Sequence, residues 1–114
     1  MIRLQNPVKE EGTVAITLSW FDEEGNATTP SAATWTLTDT FGNIKNSRED
    51  VAITSISTSN TVVLSGDDLK VNGARTELVM TLNAVYDSAN GSDLPLPEEI
   101  RFWVDNLITI GSGD

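Results

Sequence analysis

Apolar and polar residues alternate along most of this chain with a period of two, the signature of β-strands buried on one face. Val14, Ile16, Leu18 and Trp20 alternate with Ala15, Thr17 and Ser19. Trp35 and Leu37 alternate with Thr34, Thr36 and Thr38. A compact run, Thr61-Val62-Val63-Leu64-Ser65, follows. The longest alternation, over residues 76–87, sets Leu78, Met80, Leu82, Ala84 and Tyr86 on one face and Val79, Thr81, Asn83 and Val85 on the other. A last strand over residues 99–109 carries Ile100, Phe102 and Val104 against Arg101, Trp103 and Asp105. Ile44 opens a short strand. Val51 and Ile53 share a phase that Ile56 breaks, which predicts a bulge or an interruption.

Turn formers punctuate these runs. Asp22-Glu23-Glu24-Gly25-Asn26, Asp39-Thr40-Phe41-Gly42-Asn43 and Gly66-Asp67-Asp68 read as turns. Residues 87–97, rich in Gly, Ser, Asp and Pro, read as a loop. No window of a dozen residues carries a helical stripe. About seven short antiparallel strands separated by turns predict an all-β fold, an immunoglobulin-like β-sandwich. Trp35 is its expected central core residue, with Tyr86 and Phe102 beside it. The 114 residues make one domain, 1–114, in which residues 110–114 form a flexible tail.

Charge and missing residue types narrow the function. Seventeen acidic residues against seven basic ones give a net charge of −10, which repels phosphate backbones and anionic lipid heads. Nucleic acid and membranes are therefore not expected partners, and like-charge repulsion keeps copies of the chain apart. No run approaches the apolar length of a membrane helix, and the first residues lack the pattern of an export signal. The sequons Asn26-Ala27-Thr28 and Asn90-Gly91-Ser92 then read as chance matches. The chain has no cysteine and no histidine. The usual activators of a serine or threonine nucleophile are thus missing, and the pairs Asp67-Asp68 and Glu98-Glu99 read as solvated acids. A non-enzyme without a cofactor is expected. Calcium is the chemical alternative, with Asp22, Glu23, Glu24, Asp87, Asp93, Glu98 and Asp105 as oxygen donors, although residues 87–93 do not fit a calcium-loop pattern.

Three groups of residues carry a family resemblance: Trp35-Thr36-Leu37-Thr38-Asp39 with the turn Gly42-Asn43; Leu64-Ser65-Gly66-Asp67-Asp68-Leu69; and Val85-Tyr86-Asp87-Ser88 with Gly91-Ser92-Asp93-Leu94-Pro95-Leu96. Together they resemble small immunoglobulin-like proteins encoded among the virion genes of tailed bacteriophages and prophages. The resemblance spans residues 34–107 and rests on strand and turn motifs, so it carries over no functional residue. It implies a virion protein made in the host cytoplasm. Such a protein decorates or docks on a capsid, neck or tail protein, in many copies on a symmetric particle or as a homo-oligomer. The alternative is an adhesion module that binds host-surface glycans or proteins.

A partner interface can be sought where the alternation leaves an aromatic residue outward. Pairing residues 76–87 with 99–109 as a hairpin sets Tyr86 opposite Ile100, Ala84 opposite Phe102 and Leu82 opposite Val104. Trp103 then lies outward beside Asn83, with Val85 and Thr81 diagonal to it. Trp103, Val85, Asn83 and Thr81 are the expected interface, since tryptophan most often anchors protein contacts.

Overall fold

A computed structural model describes residues 2–107. Its strands are β1 (Ile2–Arg3), β2 (Val8–Lys9), β3 (Thr13–Ser19), β4 (Ala32–Asp39), β5 (Val51–Ala52), β6 (Ser59–Ser65), β7 (Thr76–Ser88) and β8 (Gly91–Asp105). A single 3-10 turn over Gly66–Leu69 follows β6, and the described residues contain no α-helix. The larger sheet runs β1-β8-β7-β4-β5, with β2 also on β8, and the smaller pairs β3 with β6. Ile16, Leu18, Val62 and Leu64 of the small sheet join Trp35, Leu37, Leu78, Met80, Leu82, Ile100, Phe102 and Val104 of the large one in one core. Two sheets around a shared core make an all-β layered fold, consistent with a β-sandwich. The expected inward faces of β3, β4, β7 and β8 are those observed, and Trp20, Trp35, Tyr86 and Phe102 are all buried.

The expected pairing is corrected in three places. The first two strands run parallel to β8, Ile2 beside Ile100 and Val8 beside Val104, so the sheet is mixed and not wholly antiparallel. Ile44 makes only an isolated bridge to Thr38. Ile53 and Ile56 both pack on the core from an irregular stretch between β5 and β6, with Ser55 at positive φ, which is the predicted break.

The third correction concerns the β7–β8 hairpin. Residues 91–97 belong to β8, and the turn is closed between Ser88 and Gly91. Tyr86 therefore faces Leu94, while Met80 faces Ile100 and Leu78 faces Phe102. The offset from the expected register is an even number of residues, so every side chain keeps its face although its partner changes. Where the register shifts, Ser92 and Asp93 of β8 face Asp87 alone, so the bulge lies on β8, with Asp93 at φ +52°, and the Asp87 carboxylate accepts a 2.8 Å hydrogen bond from the Asp93 N–H. Pro95 and Pro97 are tolerated because they lie where β8 is an edge, before β1 joins at Ile100. Val85, opposite Pro95, turns its carbonyl toward Ser31 on the β4 side. That pair therefore needs no N–H from proline.

Val79 departs from the expected pattern on the outward face, where it is buried. It lies in register between Thr38 and Arg101. Arg101 is held at Glu99 Oε1 (3.0 Å), with Glu77 Oε1 at 3.8 Å, so its aliphatic stem crosses the strand beside Val79. Phe41, in contrast, stands clear of the core at its turn, 89% exposed.

Candidate interaction surfaces

The structure sets Trp103 among charges. It lies opposite Glu77, and the Arg75 guanidinium sits 4.9 Å from its ring centre, held there by Asp105 at 3.2 Å. Glu77 also pairs with Arg3. Thr81 lies opposite Glu99, Asn83 opposite Pro97 and Val85 opposite Pro95, all farther along β8 toward the turn. Trp103 is thus not brought beside Thr81, Asn83 or Val85, and the four residues form no single patch. The register assigned to the hairpin is the reason. Trp103 remains partly exposed, its face stacked by a cation.

At the hairpin end the acids serve the loops. Asp22 Oδ1 accepts from the N–H groups of Glu24 and Asn26, both at 2.9 Å, closing a turn that Gly25 completes at φ +83°. Glu23 Oε2 accepts from Ser88 Oγ at 2.9 Å and Asn90 Nδ2 at 3.3 Å, tying the β3–β4 loop to the hairpin tip. The Ser88 hydrogen bond holds the Glu23 carboxyl below its usual range. Tyr86 ends against it, where burial and then the Glu23 charge push the phenol up. Among the described residues no three carboxylates converge as a metal site would require.

At the other end of the fold sits a buried ion pair. Asp68 is 2% exposed, and Oδ1 accepts from Arg48 Nε at 2.7 Å and Asn46 Nδ2 at 2.8 Å, while Oδ2 accepts from the Ser65 N–H at 3.2 Å. Arg48 also lies 5.9 Å from the Trp35 ring centre. Burial disfavours the charged form, but the hydrogen bonds from Arg48, Asn46 and Ser65 outweigh it and keep the carboxyl below its ordinary value. Sequence reasoning read this acid as solvated. The signal for its role is Ser65-Gly66-Asp67-Asp68, the spacing by which an acid reaches back to the N–H that opens a helical turn.

The small sheet differs from the rest of the surface. Neither β3 nor β6 contains a charged residue, although the chain has twenty-four. Their outward faces carry Thr13, Ala15, Thr17 and Ser19 beside Ser59, Thr61, Val63 and Ser65, with Thr17 and Thr61 hydroxyls 2.7 Å apart. Each strand has one partner, so each leaves one edge open. Beside β3 a groove of about 470 Å³ runs between residues 4–9 and 12–14, lined on its apolar side by Leu4, Pro7, Val8 and Val14. Beside β6 a smaller groove of about 230 Å³ is walled by Trp35, Ala52, Ile53 and Thr54. Searches against protein-family models, curated proteins and solved structures find no match to this chain. No described helix is long and apolar enough to cross a membrane.

Proposed function

We propose that the chain is a non-enzymatic, immunoglobulin-like structural module of a tailed-phage virion, docking on a head, neck or tail protein through an edge of its small sheet. Strand order supports the immunoglobulin-like reading. The neighbours β8-β7-β4-β5 follow the G-F-C-C′ order of a variable-type sheet, the N-terminal strands lie along the last strand, and β3 with β6 match the facing B–E pair. Trp35, buried on β4, supports the same reading, since strand C of an immunoglobulin domain carries a buried tryptophan. The virion setting rests on the resemblance of residues 34–107.

The observation that carries the docking mode is the apolar groove beside the open, uncharged edge of β3. An extended segment of a partner can add to such an edge by backbone hydrogen bonds while alternate side chains enter the groove. Ala15 is exposed on that edge. The protein is expected in purified particles at fixed stoichiometry. Ala15→Lys is expected to abolish incorporation, because an edge lysine blocks strand addition, while leaving the melting temperature unchanged. Normal incorporation of that variant sinks the docking mode. Retention of isolated cells or glycans by the free protein, with none in particles, favours the adhesin instead.

A further inference from the structure

Backbone polarity along β6 singles out its middle. At the two ends of the small sheet, Gly66 N–H donates to Gly12 O at 3.0 Å and Trp20 N–H donates to Thr58 O at 2.9 Å. With the observed register, these bonds show which residues of β6 turn their N–H and C=O groups toward β3: Asn60, Val62 and Leu64. Ser59, Thr61, Val63 and Ser65 turn theirs to the open edge. The outer two are occupied. Asp68 Oδ2 takes the Ser65 N–H at 3.2 Å, and Ser57 Oγ donates to Ser59 O at 2.6 Å. The edge-facing groups of Thr61 and Val63 have no partner among the described residues.

We propose that β6 is a self-association edge, at which a second copy of this chain pairs antiparallel about a two-fold axis at Val62. That register sets Thr61 opposite Val63 of the second copy, and the symmetric pair likewise, each exchanging both hydrogen bonds. The two small sheets become one continuous sheet. On its outer face Val63, 57% exposed, packs against Thr61 of the second copy.

Symmetry selects a second copy as the occupant, because the open groups of Thr61 and Val63 flank Val62 evenly and complement themselves, and the charge distribution permits the approach at this edge. Two molecules of net charge −10 repel wherever charged surfaces meet, and β6, β3 and the groove wall of Trp35, Ala52, Ile53 and Thr54 carry no charge at all. This edge also lacks the lysine or proline that keeps strand edges apart, whereas the open part of β8 carries Pro95 and Pro97. The pairing does not depend on what displays the chain.

Sedimentation of the full chain tests it, with thermal melts as the control for folding. The wild type is expected to form a concentration-dependent dimer that tightens as salt screens the repulsion between copies. Val63→Lys and Thr61→Glu, each on an exposed position, are expected to lose the dimer with unchanged melting temperature. Mixing the two variants sets the introduced charges opposite one another, which is expected to strengthen association about two- to fivefold over either variant alone. A wild type that stays monomeric at every concentration and salt overturns the proposal. So does a dimer indifferent to Val63→Lys, or a mixture no tighter than its components. A monomer whose incorporation into particles falls with Val63→Lys assigns the edge to a foreign strand and equally overturns self-pairing.

Discussion

Asp68→Ala is expected to destabilise the protein by about 3–5 kcal/mol, the range found when a buried ion pair loses one partner. The carboxylate sits at 2% exposure and satisfies Arg48, Asn46 and the Ser65 N–H together. Removing it leaves three donors facing a cavity. The Arg48 side chain is 42% exposed and can turn its charge to water, which places the effect near the lower end of that range. Asp68→Asn, which retains an acceptor oxygen, is expected to cost less. Urea unfolding of the three proteins at neutral pH measures both differences. The same group gives a pH dependence of definite sign. Its folded-state pKa lies below the ordinary value of 3.8, so its stabilising contribution is complete above that value and is lost as the pH falls through the folded pKa. Wild type and Asp68→Ala are therefore expected to converge progressively in stability as the pH falls below 3.8. A gap that stays constant to low pH, or a neutral-pH difference under about 1 kcal/mol, would falsify this account of the ion pair.

Periodicity made the faces of the strands legible, because alternation records burial and nothing else is needed to read it. Ile16, Leu18, Trp35, Leu37, Leu82 and Phe102 fall where the pattern puts them. Pairing is a different kind of information. The hairpin partner of Ile100 depends on where the turn closes, and residues 87–97 carry turn formers throughout. Two prolines there suggest a loop, yet both fit an edge strand whose exposed side needs no donor. The expected Trp103 patch inherited that register and came apart with it. Asp68 was missed for a related reason: its burial comes from Arg48 and Asn46, twenty or more residues away along the chain. The β6 edge was legible only in part. Its lack of charge is plain in the sequence, but which of its backbone groups face outward follows from the pairing with β3.

Phe102→Ala is expected to cost about 4–5 kcal/mol and Trp35→Ala about 3 kcal/mol, although tryptophan is the larger side chain. Both effects are large against the ~5–15 kcal/mol that holds a domain folded. The difference comes from where each ring sits. Phe102 has no exposed surface and lies on β8 between Ile100 and Val104, opposite Leu78 of β7. Truncation there leaves a cavity enclosed by both sheets, which close packing cannot collapse. Trp35 was the expected centre of the core, but it is 7% exposed and borders the groove between β5 and β6. A cavity at Trp35 opens to that groove, so water enters and neighbours relax, and the cavity part of the cost shrinks. Arg48 loses its ring contact as well but keeps Asp68. Urea midpoints at unchanged slope measure both variants. A Trp35→Ala effect well above that of Phe102→Ala means that the groove is closed in solution and that Trp35 is the centre of the core after all.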